Sequence, residues 1–405
     1  MTVGIFNSSQ ITTDLAAKSF AATITRLMPN GQAPLFGMTA MLPSETALQV
    51  EHGFFTKTML FPAVQLSVAA ITADTVLTVV SSADVLPGML MRAESTGEVV
   101  IINSILSATQ VSVTRGIGST AGAIAINVRM YQIGNAFEES SVRPNALQIN
   151  PVRITNLTQI FRNTWALSGS AQATQVIAGD TTVAENRMDC AAFHAADMEK
   201  ALFFGTKSQG TRNGQPFRTM DGLRNIILNP AFYPPSYAGV VNNTTAGGTT
   251  NFTQLENALD PVFNQATDPK IGNERVLFVG GQARKVLNNI GRVNGTYFIQ
   301  NGQTNYGLQF GSFNIARGSF RMIEHPLFNS NADWSKYAIA VDLSTFRVAY
   351  LGGRKTMKQE FNMDGKAVDN GIDAVGGTLT TEMTCVVKNP PANAIITNLT
   401  AAAVG

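Results

Sequence analysis

An α+β fold with a small all-β module set inside it is what this sequence predicts, and three observations carry that reading. Between residues 71 and 131, the runs VLTVV, PGMLMRA, GEVVII, QVSVT and AIAINVRM are separated by Ser, Gly, Asp and Pro, which is the spacing of a small barrel or sandwich. One long helical pattern runs from Val183 to Phe204. After it come strand-like runs at RVLFVG, FNIARGSFRMIEHPLF, KYAIAVDL, TFRVAYL and TTEMTCVVKN, mixed with helical stretches; the mixture is α+β rather than a regular βαβ alternation.

Taken in order, residues 9–28 read as a helix with Leu15, Phe20, Ile24 and Leu27 roughly on one side, stopped by Pro29, Gly31 and Pro34. PNGQAPLFGMTAM then reads as an extended, anchored arm. EHGFFTKTM mixes charges with aromatics and suits exposed strand lying on a partner. The residues before Ile71 and those from Ile133 to Ala173 read as the two legs of one long loop. In the long helix, Thr182 and Glu185 suit a capping box and Gly205 suits the C′ position. Ala184, Met188, Ala191, Ala195, Met198 and Leu202 form one face, with Glu185, Asp189, His194 and Lys200 on others. At 1.5 Å per residue this helix is about 33 Å long, the length of a spine. The Gly, Asn, Pro and Thr-rich passage 229–251 reads as a loop. Thr253 with Glu256 opens a helix carrying Leu255 and Leu259, RVLFVG is a buried strand followed by the helix QARKVLNNI, and NPPANAIITNLT closes the chain as a strand or arm.

With 405 residues the chain has length for two or three domains. Only 14% of it is Asp, Glu, Lys or Arg and 44% is apolar, where ordinary soluble domains carry about 25% charge. That is little charge for a solvated surface, so part of the outside is expected to be covered by other subunits. The richest apolar run, MLFPAVQLSVAAI, is too short to span a bilayer and is interrupted by Pro62 and Gln65. MTVGIFNSSQITTD does not read as a secretory signal. Cys190 and Cys385 lie far apart and are expected to be reduced and buried. A formal net charge of +2 without a basic block at either end argues against a dedicated nucleic-acid-binding arm.

TRGIGSTAG, from Thr114 to Gly122, has the look of a phosphate cradle, with glycines at 116, 118 and 122 after an apolar run. A dinucleotide loop needs a helix next, whereas AIAINVRMY alternates with a period of two. Glu138 and Glu139 lie about 20 positions on, where a ribose partner is wanted, but the alternating run leaves no room for a crossover helix. The glycines are therefore expected to serve a turn between strands. His52, His194 and His325 each have an acidic neighbour, Glu51, Asp197 and Glu324, without the spacing of a metal motif, and are expected at surfaces or interfaces. There is no G-x-S-x-G elbow, and Glu138 and Glu139 point to opposite faces of an extended segment. No catalytic residue, metal or cofactor is expected.

Five segments in order resemble the major capsid proteins of tailed bacteriophages with the Hong Kong 97-like fold, in the branch with a β-rich insertion in the extended loop. MPNGQAPLFGMT is similar to the end of the N-terminal arm, and EVVIINSIL…QVSVTRGIGSTAGAIAI with QIGNAFEE to the inserted module and its exit. NLTQIFRNTWALSGSA is similar to the return leg, AAFHAADMEKALFFGTKSQG to the spine helix and its stop, and TTEMTCVVKNPPANAIITNL to the closing strand. The resemblance implies an N-terminal helix and arm at 1–43, loop legs at 44–70 and 132–173 and an inserted β-barrel or sandwich at 71–131. It further implies a peripheral domain at 174–250 with spine helix 183–204, an axial domain at 251–345 and a return to the peripheral domain at 346–405.

The function implied is assembly as hexamers and pentamers into the icosahedral head of a tailed double-stranded DNA phage. A cement or decoration protein, a scaffolding protein and a portal are implied as partners, with non-specific contact to packaged DNA and no membrane. The implied location is the virion, after synthesis in the host cytoplasm. On this reading Glu51, Lys57, Arg143 and Arg153 of the loop are candidates for inter-subunit ion pairs. Some family members join subunits through a Lys to Asn isopeptide bond, a role that the position of Lys57 in the loop would suit, but the sequence singles out no matching Asn and acidic partner for it. The inserted module is expected to face outward. The rival reading is a β-rich binding or adhesion protein that grips a ligand with residues 71–131; an enzyme on a nucleotide-binding fold is remote.

Overall fold

The computed structural model describes residues 33–57, 62–144, 151–174, 182–229, 243–245, 249–263, 274–294, 301–305, 308–362 and 373–402. The helix expected at 9–28 lies outside them, as does most of the passage 229–251. The described residues divide into two compact units, one within 55–153 and one of the others.

The smaller unit is all β. Its strands are Ala63–Gln65, Val76–Thr78, Met89–Ala93, Val99–Ser107, Gln110–Thr114 and Arg129–Asn135. The first of these pairs with the last, and Val76–Thr78 lies at the other end of the sheet beside Gln110–Thr114. An antiparallel bridge between Leu66 and Val79 joins the two ends, with Ser67 N–H donating to Thr78 O at 3.0 Å and Val80 N–H to Gln65 O at 2.9 Å. The sheet thus closes on itself and leaves no open edge. Inward residues of alternating strands, among them Leu66, Leu77, Met91, Ile102, Val111 and Met130, fill it with apolar side chains. The strands run from 63 to 135, so the barrel takes in residues on both sides of 71–131.

One strand begins later than its alternation suggests. Ile124 makes only an isolated bridge to Ala70, Asn127 has φ 66°, and regular pairing starts at Arg129. A left-handed residue breaks the pleat, so apolar alternation alone did not make a strand there.

In the larger unit a five-stranded sheet contains Glu45–Ala47, Gln159–Ser168, Phe346–Leu351, Met357–Phe361 and Ala374–Val387. Gln159–Ser168 pairs antiparallel with Ala374–Met383 along all ten residues. Part of the expected return leg is therefore core: Phe161 and Trp165 face inward and are buried, and the long helix packs on this strand. A seven-stranded sheet joins Ala394–Thr397 between Asn243–Thr245 and Ala338–Val341, followed by Glu274–Val279, Gly318–Glu324, Leu308–Ile315 and Asn301–Asn305. The closing strand thus sits with the strands expected of the axial domain, not with those of 346–387. Two large apolar clusters hold the unit, one around Phe203, Phe278, Phe328 and Phe346 and one around Leu259, Leu287 and Phe320, with a small third of Ala47, Ala349 and Val386.

The long helix is Thr182–Phe204, with a different inner face from the one expected. Cys190, His194, Met198, Glu199, Leu202 and Phe203 are buried while Met188 is exposed. Polar residues occupy the inner face because each finds a partner there, as described below. Gly205 is not in the left-handed region; a Cβ there would lie 2.5 Å from Ala201 O and 2.6 Å from Met220 O, so the glycine permits close passage of the chain. The helix Phe252–Leu259 is capped two residues earlier than read: Asn251 accepts from Gln254 N–H, and the Gln254 side chain returns to Asn251 N–H.

The arm around residue 34 is not extended throughout. Pro34–Thr39 forms a short helix, for which proline in the first turn is pre-organised. Its first N–H groups have a partner distant in sequence: Leu35 N–H donates to Glu199 Oε1 at 2.8 Å and Phe36 N–H to Oε2 at 2.7 Å.

Candidate functional site

The loop residues are positioned by a two-stranded ribbon of Glu51–Thr56 with Val152–Leu157. Along Glu51–Thr56 exposure merely alternates between exposed and half-buried, so neither face is covered as a core face would be. Gly53 allows the strands to meet, since a Cβ there would lie 2.8 Å from both Ile154 O and Thr155 Cγ2. Beside it, Glu45 binds Lys388 Nζ at 2.5 Å and His52 Nε2 at 3.3 Å. Partial burial alone would raise the Glu45 carboxyl, but the hydrogen bonds and charges of Lys388 and His52 outweigh it and hold its pKa below the usual value. Glu51 and Arg153 stand on the two ribbon strands, exposed, and Lys57 follows the first strand, also exposed. Arg143 is exposed in the segment beyond the last barrel strand, next to Val142.

The glycine-rich loop does cradle an anion, and the anion belongs to the chain itself. Buried Glu98 accepts from Arg115 Nε at 2.7 Å and Arg115 Nη2 at 2.6 Å. Gly116 N–H at 3.2 Å and Gly122 N–H at 3.0 Å complete its shell. Arg115 also donates to Ile71 O at 2.7 Å. The arginine hydrogen bonds outweigh burial, so the Glu98 pKa is lowered and that of Arg115 raised. Gly116 and Gly118 have φ 69° and 62°, which is the turn geometry the glycines were expected to serve.

Two histidines expected at surfaces or interfaces are instead buried within the chain. His194 Nδ1 pairs with Asn163 Oδ1 at 2.7 Å and Nε2 with Thr381 Oγ1 at 2.8 Å. Burial lowers its pKa, partly offset by Asp197. His325 Nε2 pairs with Glu199 Oε1 at 2.6 Å and its Nδ1 accepts Leu327 N–H at 3.1 Å. Such pairing is what allows a histidine into a core. Cys190 and Cys385 are free and buried, and burial raises both thiols; a raised thiol is a poor nucleophile. Glu138 and Glu139 stand in a turn closed by Ser141 N–H to Glu138 O at 3.1 Å, not in an extended segment. Among the described residues no group of three His, Cys, Asp or Glu is arranged to hold a metal, and no helix is long and apolar enough to cross a membrane.

The model of one protein family, described as SU10 major capsid protein, matches residues 5–400. The chain belongs to the SU10 major capsid protein family. The major capsid protein of Pseudomonas phage PaMx41 is 36% identical over 406 residues, spanning 98% of this chain and 96% of that protein. Among solved structures, that of Mycobacterium phage Bobi superposes with a TM-score of 0.48 at 11% identity, covering 99% of this chain and 95% of its own. The capsid of a native GTA particle gives 0.46 at 9% identity, with 98% of each chain covered.

This SU10-family capsid protein has a further charged cluster that no local motif announces. On the strand Ala374–Val387, Glu382 is 1% exposed and accepts from Thr158 Oγ1 at 2.9 Å and Arg218 Nη2 at 3.4 Å. Its other oxygen lies 3.2 Å from Arg354 Nη1. The four residues come from segments up to 224 positions apart, so only the fold brings them together. Both arginine Nε groups are buried without a hydrogen-bond partner.

Proposed function

We propose that this phage major capsid protein is a non-catalytic building block that closes, as hexamers and pentamers, into the icosahedral head around double-stranded DNA. The observation that carries this reading is the exposure of large apolar side chains on the loop legs, where Leu48 is 89%, Phe55 69% and Val142 88% exposed. Side chains of this kind, beside the charges of Glu51, Lys57, Arg143 and Arg153, are suited to burial against further copies of the chain. Closure multiplies modest contacts, because each subunit of a symmetric shell makes every contact. Cement, scaffolding and portal proteins and non-specific DNA contact belong to the same reading, as do assembly in the host cytoplasm and an outward-facing barrel. Size-exclusion chromatography and negative-stain microscopy of the purified chain test it: shells, hexamers or pentamers are expected. A persistent monomer at high concentration overturns it.

A further inference from the structure

The Glu382 cluster holds more positive charge than its own carboxylate neutralises. Arg218 and Arg354 both converge on Glu382, yet each keeps a buried Nε without a partner. A buried donor left unmade carries a desolvation penalty, and such groups in a native structure call for an explanation. Arg162 extends the same face: Ile160 stands opposite Glu382 and Arg162 opposite Thr380 across the antiparallel pair, and residues opposite each other share a face. Met357, also opposite Thr380, adds an apolar side chain. Arg162, Ile160 and Met357 are all exposed. Three arginines against one carboxylate leave a surplus of two positive charges, flanked by two apolar side chains.

We propose that this surface binds the Glu138–Glu139 turn of a second copy of the chain. The turn carries two adjacent exposed carboxylates and is held in shape by the Ser141 to Glu138 hydrogen bond, with Ser140 at φ 63°. Exposed Phe137 and Val142 bracket it. Two carboxylates match the surplus of two charges, and the flanking apolar groups match Ile160 and Met357, so charge and apolar complementarity select the same partner. The contact joins different surfaces on the two copies and is heterologous, the type that generates rings when the rotation closes. The inference rests on the self-assembly reading and assigns one of its interfaces.

Charge reversal tests it. E138R/E139R is expected to melt like the parent protein and to lose particle formation, measured by sedimentation at matched subunit concentration. R162E, which leaves the buried Glu382 contacts intact, is expected to impair assembly likewise. Combining R162E with E139R is expected to recover a substantial part of the parental yield. Parental yields from E138R/E139R, or no recovery in the combined variant when it melts normally, overturn the proposal. So does normal assembly of R162E with loss of binding to a short DNA duplex, which assigns the surface to phosphate. Failure of the parent protein to assemble would instead count against the self-assembly reading itself.

Discussion

Glu199 shows how one side chain can tie three segments. From the buried face of the long helix its carboxylate takes the N–H groups of Leu35 and Phe36 and the imidazole of His325. Ala33, before the short helix, supplies no side-chain cap, so Glu199 performs that task from 164 positions away. Removing the carboxylate leaves two N–H groups and a buried imidazole without their acceptor. Leaving a buried donor unmade costs about 1–3 kcal/mol, and here three donors lose their acceptor at once. Glu199→Ala is therefore expected to lower unfolding free energy by about 3 kcal/mol or more, read from denaturant midpoints. Glu199→Gln, which keeps one acceptor oxygen, should lose less. A loss within about 0.5 kcal/mol for the alanine variant, the range of an ordinary surface change, would show that the site does not anchor the short helix.

At the scale of elements, the barrel and its glycine-rich loop show what the sequence reveals and what it hides. The strand Gln110–Thr114 was legible residue for residue, because Val111 and Val113 alternate inward between polar neighbours. The late start at Arg129 was not, since Ile124 and Ile126 continue the apolar alternation and only the φ of Asn127 interrupts it. The short helix Pro34–Thr39 was missed because its stabilising partner is tertiary, and His194 was misplaced because Asn163 and Thr381 are remote in sequence. The loop's glycines were correctly assigned to turn geometry, while its bound Glu98 came from an earlier strand boundary. That carboxylate sets an acid limit on the barrel. Its folded pKa is lowered, so its stabilisation is complete above the unfolded glutamate value of about 4.3 and is lost as pH falls through the lower folded value. Thermal melts of the full chain across that window should show a decline that Glu98→Gln removes, at the expense of lower stability at neutral pH. A variant retaining the parental acid dependence would assign that dependence to other carboxylates.

For the whole molecule, low charge and exposed apolar groups point to the same conclusion, and magnitudes decide which of them matters more. The four loop charges were legible because charged residues among aromatics stand out in EHGFFTKTM, whereas the Glu382 cluster has no local pattern and appears only when segments meet. Exposed ion pairs contribute about 0.2–1 kcal/mol. Full burial of a Phe side chain contributes about 1.5–3 kcal/mol, and Phe55, two residues before Lys57, is 69% exposed in the single chain. Both substitutions lie on the loop leg, and neither residue belongs to the apolar clusters of the two units. Lys57→Glu is thus expected to reduce particle yield with an unchanged melting curve, and Phe55→Ser to reduce it further at the same subunit concentration. Sedimentation of assembled against unassembled protein separates the two effects. Normal particles from Phe55→Ser would place that aromatic outside any subunit contact, and a larger loss for Lys57→Glu would mean that the charge is buried on assembly, where an unmatched ion is far more expensive than a missing ring.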